Sequence, residues 1–147
     1  MPRPLYFLRT EIAATVGARA MLEALDDDGD GVLDEAVWDA VAAAACNEVD
    51  GILGQRYATP FAAAPDAPSL IAAAAAIFCC ETLYLRRGFG DAKTNPFLTR
   101  ADAIRTKLDD IAAGRAPLTP TAIRPRPSVS VVTEPARTSS AAGSLST

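Results

Sequence analysis

Apolar positions between residues 10 and 113 recur at helical spacing in four or five segments, separated by loops of glycine, proline and aspartate. Thr10 is placed to cap a first helix from Glu11, which Gly17 interrupts before Ala18–Leu25 continues it. Asp34 is placed to cap a long helix reaching as far as Arg56. On a helical wheel Val37, Trp38, Val41, Ala45, Val49, Ile52 and Leu53 share one broad arc, with Asp39, Asn47 and Asp50 on the other side. Glu48 falls beside the apolar arc and does not fit it. Three prolines, Pro60, Pro65 and Pro68, make the next stretch a loop. The helix that follows, from Ser69 to near Arg87, is apolar nearly all round, as the centre of a bundle would be. The last helix, residues 96–113, opens on Pro96 and shows a narrow stripe of Phe97, Ala101, Ile104, Leu108 and Ile111; Gly114 and Pro117 end it.

From Arg115 the helical period stops and Pro, Ser, Thr and Ala dominate, a composition that cannot bury enough surface to order itself alone. Within it residues 128–133, Ser-Val-Ser-Val-Val-Thr, alternate like a strand between Pro127 and Pro135. A helical body offers such a strand no partner, so the pattern points to strand addition on another protein; the alternative is a tail packed along its own body. The expectation is an all-α fold: a bundle of four to five helices over residues 1–114, then an extended arm, residues 115–147, holding one short β-strand.

Composition sharpens this. Alanine supplies 31 of 147 residues and favours helix over strand. There is no histidine, which excludes Ser-His and Cys-His catalysis and His-ligated zinc or haem. Cys46, Cys79 and Cys80 lie in apolar helical runs without CxxC spacing and suit a reducing compartment. The longest apolar run, residues 70–80, falls short of the roughly 20 residues of a membrane span. With no signal-peptide pattern at the start, the expectation is a soluble cytoplasmic protein without a membrane partner. Residues 1–114 carry ten Lys/Arg against seventeen Asp/Glu, and residues 115–147 four Arg against Glu134. An acidic body grips phosphates poorly, and a basic tail suggests a second partner.

The sharpest local motif is Asp26-Asp-Asp-Gly-Asp-Gly-Val-Leu-Asp34. Read as an EF-hand loop, it places Asp26, Asp28, Asp30 and Asp34 at positions 1, 3, 5 and 9, with Gly31 at the turn. Position 12, where a bidentate Glu belongs, is Val37, so any calcium site would be weak. The competing reading is an acidic turn whose Asp34 caps the next helix, and both stay open. Glu81 lies in the apolar arc of the central helix, and a buried carboxylate needs a partner such as Arg56. No phosphate loop, nucleophile elbow or paired-carboxylate cleft is visible, so no enzyme and no required cofactor is expected.

One ordered set of motifs carries a resemblance. Tyr6 and Glu11 form a Tyr-x-x-x-x-Glu start, an aspartate–glycine turn opens a long helix, and Val49-Asp-Gly-Ile-Leu53 leads to Arg56, Tyr57 and Pro60. Over about residues 5–113 this resembles the Mu-like branch of the phage head–tail adaptor, connector or head-completion proteins. The resemblance implies a helical bundle in a ring, usually dodecameric, between the portal of a filled capsid and the tail. Its partners would be the portal protein, a tail-side stopper or tail-terminator protein and further copies of itself, with DNA passing through unbound. It would be found in the virion, and in the host cytoplasm during assembly. On that reading Phe97, Ile104, Leu108 and Ile111 suit ring or helix packing, as a lateral face. Arg124, Arg126, Val129, Val131 and Val132 suit arm contacts to the portal. The other classes left open are a small EF-hand-like calcium-binding module and an unrelated helical interaction protein.

Overall fold

The computed structural model describes residues 3–118, and over them the fold is all-α. Five helices follow in order: α1 Arg9–Val16, α2 Ala18–Leu25, α3 Glu35–Leu53, α4 Ser69–Arg86 and α5 Leu98–Ala112. Helix α4 is the hub and packs against all four others. It is long and apolar enough to cross a membrane by length and composition alone, but here Ile71, Ala74, Phe78 and Leu83 are buried against its neighbours. Its alanines let those neighbours approach closely. The core joins these residues to Tyr6, Ile12, Leu25, Val49, Leu53, Leu108 and Ile111. Each fully buried aliphatic side chain contributes about 1.5–3 kcal/mol.

Helix starts differ from the expected caps. Helix α1 begins at Arg9, so Thr10 lies inside its first turn; the Leu8 amide donates instead to Glu11 Oε2 at 2.7 Å. Asp34 does stand at the N-cap of α3, yet its carboxylate accepts the Asp27 amide at 2.9 Å rather than a helix amide. Helix α5 starts at Leu98, two residues after Pro96. The buried Asn95 shapes that entry, accepting the Phe97 amide at 3.0 Å and donating through Nδ2 to the Glu81 carbonyl at 3.2 Å.

Two helix ends share one device. After α4, the Gly88 amide donates to the Leu85 carbonyl and the Phe89 amide to the Tyr84 carbonyl, with Gly88 at φ +89°. Tyr84 and Phe89 then pack ring on ring at 5.9 Å, the apolar contact that accompanies a Schellman cap. After α5, Gly114 (φ +82°) and Arg115 repeat the pattern onto Ile111 and Asp110.

Packing decides where three surfaces lie. The stripe on α5 faces the subunit's own interior: Phe97, Leu108 and Ile111 are buried and Ile104 is half-buried against the same core. It therefore cannot serve whole as a lateral ring face. Residues 3–6 cross the side of α3 bearing Asn47 and Asp50, leaving Asp50 partly buried and Asn47 exposed. The body also runs past residue 114, because Leu118 joins the core at 7% exposure. The expected strand, with Arg124, Arg126, Val129, Val131 and Val132, lies outside the described residues.

Candidate functional site

Three polar clusters stand out on this scaffold. The first resolves the misfit carboxylates. Glu81, only 5% exposed on α4, meets Arg105 of α5 and not Arg56. Arg105 Nη2 donates to Glu81 Oε1 at 2.6 Å and Nη1 to Glu81 Oε2 at 3.2 Å. The same guanidinium donates through Nε to Glu48 of α3 and through Nη1 to Asp102 at 3.1 Å. It also stacks over the Phe78 ring at 4.7 Å. One cation thus ties α3, α4 and α5 together. The hydrogen bonds to Glu81, then those to Glu48, hold Arg105 protonated well above its ordinary value. Arg56 instead lies over Gly114, close enough that a Cβ there would come within 2.5 Å of its Nη1.

The second cluster joins the two halves of the motif set. Tyr6 is fully buried, and its hydroxyl donates to Asp50 Oδ1 at 2.6 Å while accepting the Phe61 amide at 2.9 Å. Arg3 Nη2 pairs with Asp50 Oδ2 at 2.5 Å, Nη1 donates to Asn47, and the guanidinium lies over the Tyr6 ring. The Ala64 amide donates to the Leu5 carbonyl at 2.9 Å. Residues 3–6 therefore strap α3 to the loop that follows it. Burial, reinforced by the bond to Asp50, pushes the Tyr6 phenol far up, so it stays a neutral donor.

The third is the acidic turn. Asp26, Asp28 and Asp34 each offer an oxygen within 4.8 Å of the other two. Asp30 is not among them; its Oδ1 accepts the Val32 amide at 2.8 Å. Asp26 accepts amides from Gly31, Gly29 and Asp30, and the bond from Gly31 above all lowers its pKa. The Asp30 amide pulls Asp28 down, but the carboxylates of Asp26 and Asp30 beside it leave its net shift upward. Gly29 and Gly31 both take positive φ, which lets the chain wrap around Asp26. These oxygens suit a hard cation, but Val37, where the bidentate acid belongs, packs on the core. Calcium is therefore expected to bind no tighter than about millimolar. Isothermal titration calorimetry checks this, and a micromolar Kd would overturn it.

None of these clusters assembles acid–base or nucleophilic chemistry. Burial raises the Cys80 thiol to about 11 and the Cys46 and Cys79 thiols as well, which makes all three poor nucleophiles. Arg105, Asn95 and Arg3 were not singled out from the sequence. The signal for Arg105 was indirect, namely two carboxylates beside apolar arcs on different helices that required a shared cation.

Comparison with known proteins adds one match. The family described as "Bacteriophage Mu, Gp36" matches residues 6–132, which span the fold from Tyr6 through α5 and beyond. No curated protein matches the chain.

Proposed function

This chain belongs to the bacteriophage Mu Gp36 family, a phage protein of the Mu type, and from that membership we propose that it is a head–tail adaptor. In this reading it is a structural virion protein with no catalytic step. Copies form a dodecameric ring between the portal protein and a tail-side stopper or tail-terminator protein. Residues 119–147 dock on the portal by strand addition through Val129, Val131 and Val132, with Arg124 and Arg126 pairing to acidic groups. It works at the head–tail interface of the virion after assembly in the host cytoplasm.

The observation that carries the reading is the division of charge. Residues 1–118 have a net charge of −6 and residues 119–147 one of +2. An acidic ring lets DNA slide past, since like charge opposes binding, while a basic segment suits a separate protein partner. The Arg105 and Tyr6 clusters agree with a mechanical role, because each ties elements together.

Affinity capture from particle-producing lysate tests the proposal, with bound proteins identified by mass spectrometry. The full chain is expected to recover a portal protein, and full-length V129D/V131D/V132D is expected to lose it. Equal capture by both would move the contact to the helical body. Capture of no virion component would overturn the adaptor reading.

A further inference from the structure

A subunit with this charge meets an obstacle when it packs against copies of itself. Acidic surface on acidic surface is repelled, so the seam must contain whatever cations are not already neutralised. Among the described residues seven Arg side chains are in ion pairs, and four cations are not: Arg56, Lys93, Arg100 and Lys107. Arg56 is laid over Gly114. Arg100 and Lys107 are exposed on α5, and with Ile104 they fall at three- and four-residue steps along one flank. Ile104 is also the one member of the α5 stripe that is only half-buried. The flank is thus a short basic strip with an apolar centre.

The same chain carries its complement elsewhere. The turn of residues 26–34 holds the exposed Asp28 and Asp30, neither in an ion pair among the described residues, beside Val32 at 63% exposure. Both surfaces have an apolar residue set among charges, and the charges are opposite. We propose that the α5 flank of Arg100, Ile104 and Lys107 is the seam that receives a second copy of this chain through that copy's acidic turn. The two patches differ, so the contact is heterologous and repeats around a ring. This rests on the ring reading above and names the faces that would make it.

Carbodiimide coupling of the concentrated full-length protein tests the contact, because it joins a lysine amine directly to a carboxylate. The expected product is a ladder of oligomers whose linked peptides pair Lys107 with Asp28 or Asp30. Sedimentation equilibrium should show R100E/K107E shifted to monomer with its melting temperature unchanged. Mixing R100E/K107E with D28K/D30K should restore association between the two variants. Linked peptides elsewhere, association that survives R100E/K107E, or a chain that stays monomeric at every concentration overturns the seam. Capture of portal by R100E/K107E separates the two readings: portal recovered without the seam leaves the adaptor standing, and portal lost with the wild-type chain removes both.

Discussion

Replacing Arg105 by Met is expected to destabilise the fold by about 3–5 kcal/mol, the cost of stranding a buried carboxylate. Glu81 carries the effect, because at 5% exposure it has no water to replace the guanidinium. Glu48 and Asp102 contribute less, since their side chains keep 35% and 75% exposure. Met fills the volume along the Phe78 ring, so the loss reports the charge rather than a cavity. A drop of roughly 12–20 °C in Tm is expected by circular dichroism. Adding Glu81→Gln should recover a large part of that loss, because a neutral amide costs less to bury than a carboxylate. Two results would contradict this: R105M melting with the wild type, or R105M/E81Q no more stable than R105M.

The second large effect is expected at Tyr6. Tyr6→Phe keeps the ring in the core but removes the oxygen that accepts the Phe61 amide and donates to Asp50. Leaving a buried amide unpaired costs about 1–3 kcal/mol. Asp50 still holds Arg3, which should keep the loss below that of R105M. Hydrogen exchange supplies the specific readout: the Phe61 amide should lose protection by more than the amides of α5 do. A uniform change across the chain would mean that Tyr6 acts only through general packing. The family motifs around Tyr6 and Asp50 are thus explained as a structural knot, which accounts for their presence without assigning them a binding role.

Several features were legible from residue order because they depend on neighbours within a turn or two. Helical periodicity located all five helices, with Gly17 dividing the first two and Gly114 closing the last. The apolar circumference of residues 69–86 marked the central helix, and the aspartates of the acidic turn marked a loop wrapped on its own carboxylate. Periodicity also found the α5 stripe, but an apolar stripe looks the same whether it meets its own core or a neighbour. Only packing showed Phe97, Leu108 and Ile111 turned inward.

What residue order could not supply was the choice among distant partners. Glu81 announced that it needed a cation, and Arg56 was as eligible as any, since sequence separation says nothing about which helices adjoin. The packing of α3 and α5 against α4 brought Arg105 to Glu81 and Glu48 and left Arg56 over Gly114. In the same way Asp50, on the polar side of α3, became partly buried once residues 3–6 crossed it. The helices, their loops and the separation of acidic body from basic tail follow from local propensity and composition, and so are written in residue order. Tertiary structure alone decided which charges meet and which surfaces remain free, because both depend on how helices far apart in the chain come together.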